Sequence, residues 1–180
     1  MLIRLALAAA AFAMPAAQTA PADPDLLNNP NPDTLQVYGL PGGGKPKSIK
    51  DPKVQFGKAI RIDTPGSGNP WSVGVNSPLV KPVKKGDKLM VAFYARLEKG
   101  QDGATTAQVA AGQLQLSAAP YTSLFGKPCE ISLEWKLCQA IGRADRDYAK
   151  GELSAALHVN TARQTIDLGA VAVLDYGQAP

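Results

Sequence analysis

Apolar and polar residues alternate along most of this chain with the period of a β-strand rather than that of a helix. In the segment 88–99, KLMVAFYARLEK, Leu89 and Val91 lie on one face of the predicted strand, and Tyr94 and Arg96 lie on the other. The same alternation predicts further strands at 36–38, 54–63, 71–75, 104–116, 135–141, 152–160 and 165–176. Because turn residues separate these segments and no helical period lies between them, the pattern predicts an all-β protein, an antiparallel β-sandwich or barrel.

The composition agrees with this pattern. The chain has 180 residues, of which 45% are hydrophobic, enough for one ordinary domain with a packed core. Its 17 glycines and 15 prolines interrupt helices and favour turns. The segment 23–53 is predicted to be an irregular lead-in with one short strand, because proline, asparagine and glycine recur along it. The segment 54–180 is predicted to form the β-sandwich module.

The first 22 residues have the layout of a secretory signal peptide. A basic start at 1–4 precedes an apolar run of ten residues at 5–14 and a stretch of small residues that ends at Ala22. Such a run is too short to cross a bilayer, because a spanning helix needs about 20 residues. We therefore expect a secreted or periplasmic protein that has no membrane contact once the signal is removed.

The chain contains two cysteines, Cys129 and Cys138. If both lay on one straight strand, their Cα atoms would be roughly 30 Å apart, far beyond the ~6 Å that a disulfide allows. A bridge therefore requires a turn between them, and the segment 132–134 is the candidate for it. A disulfide and a pair of buried free thiols are both consistent with the sequence.

The net charge of +4 does not by itself indicate a nucleic-acid partner. Lysines cluster at 45–58 and at 81–88, but no aromatic residues alternate with them as a stacking platform for bases requires. Lysines beside strands usually protect sheet edges and keep a protein soluble. The sequence therefore predicts no nucleic-acid binding.

Enzymatic signatures are mostly absent. The segment 39–46 approaches a phosphate-binding loop, but Pro46 stands where that loop needs Ser or Thr and offers neither a hydroxyl nor an N–H. His158 is the only histidine, which excludes a multi-histidine metal site, and no GxSxG nucleophile motif occurs. Paired carboxylates from distant positions are still compatible with a small glycoside-active enzyme, the least favoured of three hypotheses.

Five segments, taken in order and with their spacing, resemble a known family. They are GKAIRID, NPWSVGVNSPL, KPVKKGDKLMVAFYARLEKG, LEWKL and LHVNTARQTIDLGAVAVLDYG, which cover most of residues 54–177. The chain resembles the carbohydrate-binding modules of the galactose-binding-like jelly roll, the CenC-like type found with bacterial xylanases and cellulases. The resemblance implies two antiparallel sheets in a jelly-roll sandwich, with ligand on the outer face of one sheet or in the loops at its edge. It also implies a structural calcium ion in many members, without identifying its ligands here, and a secreted glycoside hydrolase as a partner.

Six residues are candidate ligand contacts, because sugar rings stack on aromatic faces and sugar hydroxyls bond to amide, imidazole and guanidinium groups. Trp71 resembles the tryptophan that begins the corresponding strand of the family, although its parity with Val73 fits a core position equally well. Trp135 is predicted to lie in the core because it shares parity with Leu137. The other five candidate contacts are Tyr94, Arg96, Gln108, His158 and Gln164. The pattern fits equally a Tyr94 that covers a neighbouring strand, an Arg96 that pairs with a nearby acid and a His158 that is an ordinary surface histidine.

The sequence therefore predicts a secreted, non-catalytic module that binds a soluble polysaccharide or oligosaccharide on the face or edge of one sheet. Aromatic residues make up only 6% of the chain, too few for a long platform on crystalline polysaccharide. No catalytic residue and no metal ligand is assigned. The alternative is a structural or protein-interaction β-sandwich in the periplasm that binds no sugar.

Overall fold

The computed structural model describes residues 23–178, and strands dominate this part of the chain. The only helical segments between these two residues are 3₁₀ turns of three residues each. None of its helices is long and apolar enough to span a membrane. The strands are β1 (Asp25–Leu26), β2 (Gln36–Tyr38), β3 (Lys47–Lys50), β4 (Lys58–Pro65), β5 (Gly74–Pro78), β6 (Lys88–Lys99), β7 (Thr106–Leu116), β8 (Ser123–Ser132), β9 (Lys136–Arg143), β10 (Leu153–His158) and β11 (Arg163–Asp175).

The strands form two antiparallel sheets. Sheet I has the order β3-β4-β11-β6-β9, and β1 pairs with the far end of β11. Sheet II has the order β2-β5-β10-β7-β8. Among these strands only the pairs β3-β4 and β7-β8 are consecutive in the sequence, so both sheets combine early and late parts of the chain. The prediction of an all-β antiparallel sandwich is confirmed.

The core lies between the inner faces of the two sheets, and the alternation along each strand decides which side chains enter it. Leu89, Val91 and Phe93 of β6 are all at most 2% exposed, as their shared parity predicts. Phe93 fills the space beside Gly112 of β7 in the opposite sheet. A Cβ at Gly112 would lie 2.4 Å from the Phe93 ring, so this position requires glycine for sheet packing.

Several strand boundaries differ from the sequence pattern. The predicted strand 71–75 is a 3₁₀ turn at Pro70–Ser72 followed by β5, because proline favours the start of such a turn and Asn69 caps it. The predicted strand 54–63 begins only at Lys58, since Phe56 and Gly57 have positive φ angles and form a turn. The segment 23–53 carries three short strands, not one. Strand β8 was missed because its apolar residues alternate poorly.

The disulfide is present and joins the two sheets at one side of the sandwich. Cys129 lies on β8, an edge strand of sheet II, and Cys138 lies on β9, an edge strand of sheet I. Their Cα atoms are 6.0 Å apart. The chain reverses between Ser132 and Lys136, at the turn predicted from the sequence. The disulfide interpretation is therefore confirmed over that of two free thiols.

Replacing both cysteines by serine is expected to lower the free energy of unfolding by about 2.5 kcal/mol, because the bridge closes a loop of about ten residues in the unfolded chain. Urea unfolding curves of the two proteins measure this difference. The single variants serve as a second comparison, since each also removes the bridge. If the double variant unfolds at the same urea concentration as the parent, contacts between β8 and β9 alone hold this side together.

Candidate functional site

A groove of about 520 Å³ crosses the outer face of sheet II. Its volume lies within the range of about 300–1,000 Å³ that is typical of ligand sites. Residues from four of the five strands of sheet II and from two loops line this groove. The residues that line the groove are Tyr38, Trp71, Asn76, Gln113, Gln115, Pro120, Tyr121 and His158.

Small residues on the central strand give the groove its depth. Outward and core positions alternate along β10, and the outward residues are Ser154, Ala156 and His158. Ala156 pairs with Asn76 of β5 on one side and with Gln113 of β7 on the other. The short alanine side chain therefore lies beneath two longer amide side chains, which form the polar walls.

Two exposed aromatic rings border the groove. Trp71 is 57% exposed and lies in the 3₁₀ turn before β5, which carries the indole out of the strand alternation. Its ring centroid is 6.4 Å from that of His158, with the rings tilted by 59°. Tyr121, 56% exposed, belongs to the loop between β7 and β8 and has a φ of 56°. A bulky residue is uncommon in this left-handed region.

A third ring, that of Tyr38, lies along the floor. A Cβ at its register partner Gly74 would be 2.3 Å from the Tyr38 hydroxyl and 2.8 Å from the carbonyl oxygen of Leu157. Glycine at position 74 therefore lets the phenol lie flat across β5. Burial raises the pKa of Tyr38, and the neighbouring Tyr121 raises it further. The Tyr38 phenol is thus neutral at physiological pH, and Tyr121 lies near it.

The polar groups of the groove are uncharged. Gln113 donates from Nε2 to Oε1 of Gln115 over 2.6 Å, which fixes the orientation of both amides. Burial lowers the pKa of His158, so its imidazole is neutral at pH 7. No Asp, Glu, Lys or Arg lines the groove. The arrangement can stack flat apolar surfaces and exchange hydrogen bonds with hydroxyl groups, and it contains no carboxylate for acid–base chemistry.

The sequence candidates separate into different parts of the sandwich. The groove brings together Trp71 and His158. Tyr94 and Arg96 lie on the outer face of sheet I, where Arg96 donates from Nε to the Oδ2 atom of Asp167 over 2.9 Å. The guanidinium also lies 5.2 Å from the ring centroid of Trp135.

Trp135 is not a core residue, contrary to the prediction. It precedes β9 and donates from Nε1 to Oδ2 of Asp51 over 2.9 Å, on the outer side of sheet I. Trp135 does share a face with Leu137, but that face points outward, since Leu137 is 42% exposed while Cys138 and Ala140 fill the core side of β9.

The two glutamine candidates also lie outside the groove. Gln164 is 5% exposed and donates from Nε2 to the carbonyl oxygen of Val159 and to Oγ1 of Thr161. It therefore secures the connection between β10 and β11. Gln108 is exposed on β7, and its carbonyl oxygen accepts a hydrogen bond from Thr161.

Sequence reasoning missed Tyr38, Asn76 and Pro120 as site residues. Gln113 and Gln115 can be recognised from the sequence as outward residues, because the alternation along β7 places both on its outer face. The sequence does not indicate that Tyr38 and Asn76 belong to the site, since each lies on a short strand whose pairing partner is remote in the sequence.

The structural calcium ion that the family resemblance implies stays a prediction, because calcium also binds backbone carbonyl and amide oxygens. No three His, Cys, Asp or Glu side chains between residues 23 and 178 come together as a metal site. The groove itself holds no acidic residue.

Comparison with known proteins identifies the fold. No family model matches the chain, and no curated protein matches it. Among solved structures, a CBM4 module is similar with a TM-score of 0.59 and 16% identity, covering 80% of this chain and 96% of the module. The CBM22-1 xylan-binding domain from Paenibacillus barcinonensis has a TM-score of 0.57 and 13% identity, covering 89% of this chain and all of the domain, 100%.

The second N-terminal cellulose-binding domain of a β-1,4-glucanase from Cellulomonas fimi is also similar, with a TM-score of 0.57 and 16% identity. The similarity extends over 100% of that domain and 89% of this chain. These likenesses confirm the predicted jelly-roll β-sandwich, the fold of CBM4 and CBM22 carbohydrate-binding modules.

Proposed function

We propose that this protein is a non-catalytic carbohydrate-binding module that holds one neutral, soluble polysaccharide chain in the groove of sheet II. The observation that carries the proposal is the combination in one groove of two exposed aromatic rings, aligned amides and no charged side chain. The solved structures with this fold include a xylan-binding and a cellulose-binding domain.

The chemistry of the groove matches a sugar chain. The apolar C–H face of a pyranose ring stacks on an exposed indole or phenol, and Trp71 and Tyr121 offer such surfaces. Ring hydroxyls both donate and accept, as the amides of Gln113 and Gln115 do. Because the lining is uncharged, we expect neutral glycans to be favoured over polymers that carry carboxylate or sulfate groups.

The absence of catalysis is part of the proposal. Glycoside hydrolysis needs two carboxyl groups that face the scissile bond, and none of the groove residues is acidic. We further propose export to the periplasm or medium, because a disulfide persists in oxidising compartments and the start of the chain has the pattern of a signal peptide. A secreted glycoside hydrolase is the proposed partner, and the structural calcium ion that the family resemblance implies is a further part of the proposal.

Affinity electrophoresis of the folded protein, residues 23–180, tests the proposal. Native gels that contain xylan, β-glucan, hydroxyethylcellulose or galactomannan are compared with gels that contain polygalacturonate or no polymer, with and without a chelator. Retardation by a neutral polymer alone is expected. Unchanged mobility in every gel contradicts the proposal and supports a structural or protein-interaction sandwich. Release of reducing ends from any polymer contradicts the non-catalytic assignment.

Binding is expected to weaken in mild acid. Burial holds the pKa of His158 below its usual 6.5, and a ligand that covers the groove would bury the imidazole further, so the complex favours the neutral form. Affinity should therefore be constant above pH 6.5 and fall once the pH drops below the lowered pKa, approaching about tenfold per pH unit. Isothermal titration between pH 4.5 and 8 measures the profile.

His158→Gln is the control for this profile, because glutamine keeps a hydrogen-bonding side chain that does not titrate. The variant should show a flat profile over the same range. An acid-induced loss that persists unchanged in His158→Gln contradicts the role assigned to the imidazole.

A further inference from the structure

Three asparagine side chains that are shielded from solvent differ in how their amides are used. The amide of Asn28 donates to Oγ of Ser77 and to the carbonyl oxygen of Val171, and its Oδ1 accepts from the N–H of Val173. Both amide atoms of Asn28 thus hold the N-terminal segment against the sandwich.

Asn160 is used in the same way. Its Nδ2 donates to the carbonyl oxygens of Ser67 and Asn69, and its Oδ1 accepts from the N–H of Gly66. With 2% of its surface exposed, it fixes the loop that leads to the Trp71 turn.

Asn76 is the exception. It lies at the wall of the groove beside Ala156, and its Oδ1 is buried without any hydrogen-bond partner between residues 23 and 178. Its Nδ2 also makes no hydrogen bond within that part of the chain. The buried Oδ1 atom costs stability, because it has lost water without gaining a hydrogen-bond partner.

The neighbouring amides do not share this property. Gln113 and Gln115 are bonded to each other over 2.6 Å, so a ligand must compete with that bond or use the remaining lone pairs and N–H groups. Nothing in the described chain holds the Asn76 amide, and its terminal torsion is soft. A rotation can therefore present both its N–H and its carbonyl edge to a ligand without breaking a protein hydrogen bond.

We propose that Asn76 is the residue that recognises the hydroxyl pattern of the ligand, by binding two adjacent hydroxyl groups of one sugar ring. Nδ2 donates to one hydroxyl oxygen, and Oδ1 accepts from the neighbouring hydroxyl. This inference rests on the proposed function. It explains why the groove retains an unbonded amide where an apolar side chain of similar size would cost the free protein nothing.

Asn76→Leu tests the proposal, because leucine keeps the approximate volume and removes both hydrogen-bonding atoms. In the free protein, the urea midpoint should be unchanged or higher, since an unbonded buried oxygen is removed. Affinity for the neutral polymer that retards the parent protein most should fall at least tenfold in isothermal titration. The Asn76→Leu variant should therefore lose affinity without losing stability.

Ser117→Ala is the matched control. Ser117 Oγ is the other buried side-chain oxygen without a partner between residues 23 and 178, but this residue does not line the groove. Its replacement should leave affinity within twofold of the parent. Asn76→Ala provides a second test of the site if leucine packs poorly, and it should also lose affinity at least tenfold while remaining folded.

The outcomes separate this inference from the proposed function. If the parent protein binds none of the polymers in the panel, the proposed function fails before Asn76 is tested. If the parent binds and both Asn76 variants bind within twofold of it, the role of Asn76 is overturned while the function stands. A destabilisation of both Asn76 variants larger than that of Ser117→Ala also overturns it, because the amide would then be a structural group.

Discussion

Replacing Trp71 with alanine is expected to lower affinity for a neutral polysaccharide at least 30-fold, or about 2 kcal/mol, the loss typical of a binding hot spot. The indole is 57% exposed and lies outside the core, so the free energy of unfolding should change by less than about 0.5 kcal/mol. The loss follows from the removal of the largest flat surface in the groove, on which a sugar ring would stack. Isothermal titration and urea unfolding measure the two quantities.

Trp135→Ala is the matched control, because it removes the second tryptophan from the outer side of the other sheet. Trp135 bonds Asp51 and lies against Arg96, so its loss should cost about 1–2 kcal/mol of stability. Affinity should not change. If the two variants lose affinity equally, the ligand does not bind selectively on sheet II, and the assignment of the groove is wrong.

Asp167→Asn is expected to lower the free energy of unfolding by about 3 kcal/mol, the usual cost of breaking a buried ion pair. The Asp167 carboxylate has no exposed surface. Arg61 donates to it from Nε over 2.7 Å and from Nη2 over 3.0 Å, and Arg96 donates from Nε over 2.9 Å. Asparagine offers one acceptor and no charge, so two guanidinium groups lose their buried counter-ion and keep the more exposed Glu98 as a close acidic partner. Urea unfolding measures the loss.

Asp63→Asn controls for the general effect of neutralising an aspartate on sheet I. The Asp63 side chain is 62% exposed and lies 3.9 Å from Lys47, a pair expected to contribute less than about 1 kcal/mol. Affinity for polysaccharide should be retained in both variants, since neither residue lines the groove. A loss for Asp167→Asn no larger than that for Asp63→Asn contradicts the structural role of the buried cluster.

This cluster shows how the structure uses Arg96, which the sequence pattern offered as a candidate ligand contact. The alternation along β6 correctly places Arg96 on an outer face, and an outward arginine is compatible with sugar binding. Its partner Asp167 is 71 positions away in the sequence, and the two meet only because β6 and β11 pair. The local pattern contains no information on that pairing, so the sequence left open whether Arg96 contacts a ligand or pairs with an acid.

The sequence by itself determined the properties that depend on local order: the strand period, the core face of β6, and the turn that the disulfide between Cys129 and Cys138 requires. Alternation and turn preferences depend on a few neighbouring residues, so they can be recognised in the sequence without knowledge of the fold. Only the tertiary structure decided which outer face carries the groove. The pairing of β2, β5 and β10 makes neighbours of Tyr38, Asn76 and His158. This pairing joins residues that are distant in the sequence, and it depends on the packing of the whole core.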